Sequence, residues 1–596
     1  MSLIHPTMFS GLSEDFTSFA GSAVPRAEAP AADEPQKQVD LLWGVQVPMR
    51  DGVKLDATVY RPHEQKEPLP AIFTLTPYIA DSYLDRALYF AKNDYVFALV
   101  DVRGRGNSEG TFEEMVNEGR DGYDIVEWLA KQPWCNGKVA MWGGSYAGFD
   151  QWATLKELPP HLCTIVPAAS ACPGVDAPML HNVFASYTMQ WLTFVSGVTG
   201  NANLFSNVDF WISKFTELYI QHLPFKDLER IVGNETTTFQ KELGHPTLDA
   251  HWNGMAQTPE DYKRINIPIL TITGHYDGDQ AGAMAYYRRH MKHGTAEAVG
   301  KHYLIVGPWD HAGTRTPMKE VAGLTFGDAS VVDLNRLHKG WYDWTMKGGP
   351  KPDFLKNRVA YYVPGAEAWK YADNVGSISN STRTLYLSSD GHANDVFRSG
   401  RLTDQEPGQE TPDRYVYDPL DTRPAALYQT EIKNYLTDQR GALNLFGNGL
   451  VYHSEPFDDD TEVTGYLRFV AWISLDVPDT DFAVEVDEIK PDGTSIQLTS
   501  DIMRARYRDS LVEERLVTPG EINRYEFNGF MFFSRRIAKW SRLRLVLTCP
   551  NTIYLEKNYN GGGVVAEESG KDARTAHVMV YHDKEHPSFL QIPIVK

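Results

Sequence analysis

The stretch Lys138–Trp152, KVAMWGGSYAGFDQW, carries an apolar run into Gly143-Gly144-Ser145-Tyr146-Ala147-Gly148 and out again into a helical pattern. A serine on so sharp a strand-to-helix turn takes a strained backbone, and small neighbours let strand and helix approach until its Oγ stands exposed. The turn is therefore a nucleophile elbow, with Ala147 in place of the second glycine of a GxSxG pattern and Gly148 directly after it. Elbows of this kind sit at the top of a strand in an α/β sheet, so this one segment bears on the whole fold.

Outward from the elbow, the apolar runs AIFTLT, YVFALVD, CTIVPA, PILTIT and HYLIVG are short and mostly unalternated, as expected of parallel strands covered on both faces. Amphipathic stretches such as GRDGYDIVEWLAKQ and FDQWATLKEL lie between them. Strand and helix thus take turns, which predicts a doubly wound α/β sheet over residues 41–166 and 266–350. Residues 167–265 read as an inserted helical cap crowded with aromatics, among them Phe184, Tyr187, Trp191, Phe194, Phe210, Trp211 and Phe215. Most of these are expected to pack the cap's own core. Upstream, VQVPMRDGVKLDATVY alternates around Asp51-Gly52, a hairpin that starts the folded part at Val45. Residues 1–40, with AVPRAEAPAADEPQKQ, read as a flexible leader. Downstream, TLYLSSDG, GYLRFVAWISLDV, DFAVEVDEIKPDGTSIQL and RLRLVLTCP alternate with no helix between them. Residues 355–596 are therefore expected to form an all-β jelly roll, with Pro491-Asp492-Gly493 as one of its turns.

The 596 residues suffice for two to four domains at roughly 100–200 residues each. With 57 Lys and Arg against 78 Asp and Glu the net charge is −21, and the basic residues form no patch interleaved with aromatics. The electrostatic footprint of a nucleic-acid binder is missing. No run of about 18 apolar residues occurs, so no membrane partner is expected. MSLIHPTMFSGLSEDF at the start lacks the basic and apolar regions of a secretory signal, and four cysteines without CxxC spacing suggest a reduced, cytoplasmic protein. DVRGRGNSEG lacks the Lys-Ser/Thr ending of a phosphate loop, and Asp458-Asp459-Asp460 lacks calcium-loop spacing, so no cofactor or metal is expected.

A serine hydroxyl is a weak nucleophile near neutral pH and needs an imidazole to take its proton and a carboxylate to orient that imidazole. On this fold the acid and then the histidine follow the serine, each just past a later strand. PILTITGHYDGDQ puts Asp277 in such a place and HYLIVGPWDHAG puts His311 in the next. Asp279 and His275 are second candidates that read first as solvated loop residues. A tetrahedral oxyanion also needs donors in place before it forms. The backbone N–H of Tyr146 at the helix start is one, and Tyr78 in TLTPYIAD offers a phenolic O–H as the other.

These residues resemble the cocaine esterase and X-Pro dipeptidyl-peptidase type of α/β-hydrolase, the CocE/NonD group, which also includes α-amino-acid ester hydrolases and a glutaryl cephalosporin acylase. The landmarks run in one order from about Val45 to Lys596: PMRDGVKLDATVYRP, TPY, DVRGRGNSEGTF, GGSYAGFDQW, HPTLDAHW, GHYDG, GPWDH, LYLSSDG, DTDFAVEVDEIKPDGTSIQL and RARYR. The resemblance implies an α/β-hydrolase domain, a helical cap and a C-terminal jelly roll. It implies Ser145 as nucleophile, His311 as base, Asp277 as acid, and Tyr78 as the tyrosine that completes the oxyanion hole with the Tyr146 amide. It also makes DVRGRGNSEG a structural loop beneath the site, with His245, Asp249 and Trp252 of HPTLDAHW holding the cap to the catalytic domain.

The expected activity is hydrolysis of carboxylic esters, extending to activated amides, through an acyl-serine intermediate on a small-molecule substrate. An α-amino-acid ester hydrolase or β-lactam acylase and an X-Pro-type aminopeptidase are the alternatives; an inactive jelly-roll binding module is a remote one. The α-amino-acid ester hydrolases hold a substrate ammonium with a carboxylate cluster, one member of which lies two positions after the catalytic acid, where Asp279 stands here. Asp176 in the early cap is a candidate second member, and Trp191 a candidate substrate contact. Homo-oligomerisation stays open.

Overall fold

Parallel strands buried on both faces need helices over each face, and the computed structural model of the chain has that arrangement. It describes residues 37–395, 397–428, 433–440, 442 and 444–596; of the expected leader, residues 1–36 lie outside them. Strand structure starts at Val39 and not at Val45: β1 (Val39–Pro48) pairs antiparallel with β2 (Lys54–Pro62) along its whole length. A register shift between Leu42 and Val45, at Gly44 with φ 68°, breaks the alternation and hides the first half of β1 from the pattern.

The chain continues through β3 (Leu69–Thr76), β4 (Val96–Asp101), β5 (Cys135–Ser145) and β6 (Leu162–Ser170). The cap then opens with a small hairpin, β7 (Met179–Leu180) and β8 (Val183–Phe184). After the cap come β9 (Ile269–Gly274), β10 (His302–Gly307), a second small hairpin of β11 (Glu320–Val321) and β12 (Leu324–Thr325), then β13 (Val359–Val363) and β14 (Ala368–Ala372). The main sheet has the order β1-β2-β4-β3-β5-β6-β9-β10-β13-β14 and is parallel from β4 to β13. β13 and β14 lie past residue 350, in what the alternation assigns to the C-terminal domain. Two strands joined by a tight turn with no helix between them look all-β in sequence, although they complete the edge of the first sheet.

The strand order reverses around β3: the chain moves from β3 outward to β4 and then returns to the other side with β5. In open α/β sheets the crevice at such a reversal, outside the carboxyl ends of the strands, is where ligands bind. Tyr78 follows β3, Ser145 ends β5, Asp277 follows β9 and His311 follows β10.

The cap carries helices such as Tyr187–Phe194, Val208–Ile220 and Thr237–Leu243. Its aromatics Phe184, Trp191, Phe194, Trp211 and Phe215 form one buried cluster that also takes in Tyr78 and Tyr146 from the α/β domain and Ile553, Tyr554 and Leu555 from the C-terminal region. Packing is thus the main task of these rings, and three parts of the chain share one core. Beyond β14, thirteen strands among the described residues, from Ser381–Ser388 to Phe589–Val595, form a separate β-domain around Leu385, Tyr452, Phe482, Phe527, Leu545 and Val578. Among the described residues no helix is long and apolar enough to cross a membrane.

Candidate active site

The elbow owes its shape to small residues. Ser145 has φ 60° and ψ −126°, a conformation that costs an L-residue energy and persists only when its surroundings enforce it. A Cβ on Gly143 would lie 2.7 Å from the Ala147 Cβ, and one on Gly148 2.6 Å from Ser170 Oγ. Gln151, one turn into the helix Tyr146–Lys156, ties the arrangement together: its Nε2 donates to the carbonyls of Gly143, Ala147 and Val166, and its Oε1 accepts the Val166 N–H.

The strand-end residues converge on this serine. His311 Nδ1 lies 2.8 Å from Asp277 Oδ1, both side chains fully buried. Asp277 is itself held: the Asp279 N–H donates to its Oδ1 (3.0 Å) and Thr273 Oγ1 donates to its Oδ2 (2.8 Å). The Tyr78 hydroxyl lies 3.4 Å from Ser145 Oγ. Trp191 Nε1, which can only donate, reaches the same hydroxyl at 3.0 Å, so the Tyr78 oxygen accepts there and its proton is directed elsewhere. Burial raises the Tyr78 pKa well above that of an ordinary phenol, so the group stays a donor at neutral pH. Tyr146 stacks on Trp191 with ring centroids 5.3 Å apart, while its hydroxyl donates to Glu118 Oε1 (2.7 Å) and accepts the Met115 N–H (2.6 Å). Trp191 therefore braces both oxyanion-hole candidates.

A cleft opens in front of Ser145. Its wall includes Tyr78, Tyr146, Trp191, His311, Asp176 and Asp279. Asp279 is buried and not a solvated loop residue, and it lines the cleft together with Ser145. Burial first, then Asp176 and Asp277, drive its pKa well above the carboxylate range, with Arg315 opposing them. Asp176 is pushed up to about 7 by burial, against the Cys172 and Gly282 N–H groups that donate to its two oxygens. Gly282 has no room for a Cβ, which would sit 2.5 Å from that carboxylate. The absent side chain brings the first turn of the helix Gln280–His293 onto Asp176, where the helix N-terminus favours the anion.

The other second candidate, His275, is also buried, but its Nε2 is spent on the Tyr362 carbonyl (2.8 Å), and burial lowers its pKa to about 4. It does not line the cleft. The DVRGRGNSEG loop is no phosphate cradle: the buried Arg105 guanidinium donates to the carbonyls of Pro77, Val195 and Gly197, tying the loop before Tyr78 to the end of the helix Tyr187–Phe194. In HPTLDAHW, His245 Nδ1 pairs with Asp249 Oδ2 (2.6 Å) and Trp252 Nε1 donates to the His245 carbonyl. Trp252 packs over Gly174 where the cap begins.

Glu114, Met115 and Thr188 also line the cleft and had no signal in the sequence, and Tyr187, one of the cap aromatics expected to pack the core, lines it too. Glu114 is pushed up to about 7 by burial and hydrogen-bonds to Glu242 of the cap. Nothing in a charged loop residue separates a cleft wall from solvent until the cap closes over it.

Two family models match the chain: the X-Pro dipeptidyl-peptidase (S15 family) domain over residues 51–313, and the X-Pro dipeptidyl-peptidase C-terminal non-catalytic domain over residues 346–591. Cocaine esterase of Rhodococcus sp. (strain MB1 Bresler) is 28% identical over 579 residues, covering 93% of this chain and 98% of that protein. An α-amino acid ester hydrolase of known structure superposes with a TM-score of 0.80 at 22% identity, over 96% of this chain and 99% of that one. An aminopeptidase from a marine sediment archaeon, Thaumarchaeota archaeon, does so with a TM-score of 0.79 at 22% identity, over 97% and 99%. With both domain models in their order and the curated relative matching nearly end to end, the chain belongs to the CocE/NonD type of serine hydrolase, the family of cocaine esterase and the S15 X-Pro dipeptidyl-peptidases.

Proposed function

We propose that the protein cleaves carboxylic esters through an acyl-Ser145 intermediate, with Ser145, His311 and Asp277 as the catalytic triad. The observation that carries this reading is the His311–Asp277 hydrogen bond at the rim of the cleft that the strained Ser145 faces. With Nδ1 committed to Asp277, the other ring nitrogen of His311 takes the Ser145 proton as Oγ attacks the acyl carbon. The negative charge on the carbonyl oxygen is met by the Tyr146 N–H and the Tyr78 O–H. Collapse of the tetrahedral intermediate expels the alcohol, protonated by His311. The same nitrogen then takes a proton from the water that attacks the acyl carbon and frees Ser145. The cocaine esterase relative supports ester substrates.

A second observation narrows the acyl group. Asp176 and Asp279 come together in the same cleft, one from the cap and one from the loop after β9, with Asp176 against the first turn of the helix that Asp279 precedes. Two carboxyls beside the acyl position favour a substrate with a free α-ammonium, as the names of the ester hydrolase and aminopeptidase neighbours suggest. Four cysteines without a disulfide suit a reducing compartment, and we place the protein in the cytoplasm. The test is kcat/KM on matched esters and anilides of one acyl group, each with and without the α-amine, with Ser145→Ala as blank. A preference for the amine of tenfold or more supports the narrower reading; indifference, with esters far above anilides, leaves a general carboxylesterase. Turnover by Ser145→Ala refutes both.

A further inference from the structure

The cleft wall from Asp176 to Trp191 belongs to the cap, yet what holds it in place is the β-domain. Within it, β7 and β8 are joined by the two-residue turn His181-Asn182, with φ 48° and 64°. Both residues sit in the left-handed region that such hairpins require and that non-glycine residues adopt only at a cost. The turn is gripped from the β-domain side. His181 Nδ1 lies 3.0 Å from both the Ile502 carbonyl and Asp501 Oδ1. Asn182 Nδ2 donates to the Leu511 carbonyl (2.8 Å), and the Asn182 carbonyl accepts from Arg504 Nη1 (3.1 Å).

Arg504 is 2% exposed and serves several acceptors at once. Its fork meets Asp481 through Nε (2.9 Å) and Nη2 (3.0 Å), and Nη2 also reaches Glu556 Oε2 (2.9 Å). Glu556 closes the loop, because its backbone N–H donates to the Phe184 carbonyl (2.9 Å). Next to it the Ser186 N–H donates to the Tyr554 carbonyl (2.9 Å), so residues 184–186 pair antiparallel with 554–556 through a single β-bridge at Ala185 and Leu555. The helix Tyr187–Phe194, which carries Trp191 and so the brace on Tyr78, begins directly after this docked segment.

We propose that the C-terminal β-domain is the specificity element of this hydrolase. The Arg504 cluster and the His181 contact set the position of the 179–186 segment, and through it the width of the acyl pocket. Arg504 and His181 are positioning residues; neither lines the cleft. The proposal rests on reading the cleft before Ser145 as the acyl pocket.

The experiment compares esters of one alcohol whose acyl group grows from acetyl to phenylacetyl, in the full-length protein. The variants are Arg504→Lys, whose ammonium cannot span both carboxylates and the Asn182 carbonyl, and His181→Ala. A fluorophosphonate probe first counts the reactive serines in each. The expected result is normal labelling together with a phenylacetyl-to-acetyl ratio of kcat/KM that shifts at least about fivefold, mostly in KM for the larger acyl group. His181→Asn, which keeps a donor and tolerates the turn, should restore the ratio. A merely structural role would lower labelling and scale every ester alike. An unchanged ratio in a fully labelled variant overturns the proposal, and His181→Ala still decides if Arg504→Lys does not fold. Failure of the probe to label the wild-type protein at Ser145 would instead sink the acyl-serine reading.

Discussion

Among the described residues, two clusters each bring a serine, a histidine and carboxylates together, and they hold the imidazole differently. At the sheet, both carboxylates beside His311, Asp277 at 2.8 Å and Asp279 at 3.9 Å, lie on its Nδ1 side. In the β-domain, His582 has Glu410 3.0 Å from Nδ1 and Asp413 3.0 Å from Nε2. Burial disfavours the charge on His582, but the two acids outweigh it and raise its pKa. With a carboxylate facing each of its ring nitrogens, His582 has no nitrogen left over for a serine, and Ser389 Oγ, 3.4 Å from Nε2, donates to Asp413 instead. Ser145 sits on strained backbone before a cleft, whereas Ser389 accepts the Gly391 N–H in a turn. Residue type alone does not make a triad; the side of the ring that the acids occupy does.

The largest expected effect separates the two clusters outright. Ser145→Ala or His311→Ala should lower kcat by about 10⁴–10⁶-fold, while Ser389→Ala stays within twofold, as read by steady-state rates on one ester. Equal losses in both clusters would erase the distinction. Tyr78→Phe should cost about 10²–10³-fold in kcat with KM nearly unchanged, because the phenol acts only when negative charge develops on the carbonyl oxygen.

Asp176→Asn should reduce kcat/KM for α-amino esters about tenfold and leave des-amino esters alone. With its folded pKa at about 7 the group ionises near neutrality, so KM for an ester bearing a quaternary ammonium, which cannot titrate, should fall as pH rises through about 7. The stability sign is opposite: the folded state holds a proton that the unfolded chain releases near 3.8, so Asp176 costs stability as pH rises from there to about 7. A KM flat with pH would detach Asp176 from the substrate.

The smallest effect belongs to the clamp. The His582 pKa is raised in the folded state, so its stabilisation is fully present below about pH 6.5 and is lost as pH rises through the folded value. Asp413, whose pKa is lowered, contributes above its unfolded value of 3.8 and loses that contribution as pH falls through its folded one. Thermal midpoints of the wild type and His582→Gln should therefore differ most at mildly acidic pH, by about 2–4 °C, and converge at high pH. A difference that grows with pH would mean that His582 is neutral, and the contrast with His311 would lose its electrostatic basis.

The elbow, the order of serine, acid and histidine, and the positions just past β9 and β10 were legible from residues 138–152, 268–280 and 302–313, because strand ends and turns are local. The burial of Asp279 and His275 was not, since a loop after a strand reads as solvated until the cap and strand β13 cover it. Nor did pattern separate β13 and β14 from the β-domain, where short turns and missing helices look alike on both sides of the boundary.

By itself the sequence determined the local arrangement on which the proposed chemistry rests: which hydroxyl stands on the strained turn, which imidazole and acid come just past later strands, and that the chain is an α/β sheet with a cap and a β-domain. Only the tertiary structure decided what surrounds that chemistry. The Trp191 brace on Tyr78, the helix start beneath Asp176 and the hold of Arg504 on Asn182 join residues 113, 106 and 322 positions apart. Such contacts depend on how the layers close over one another, and no local periodicity encodes that closure.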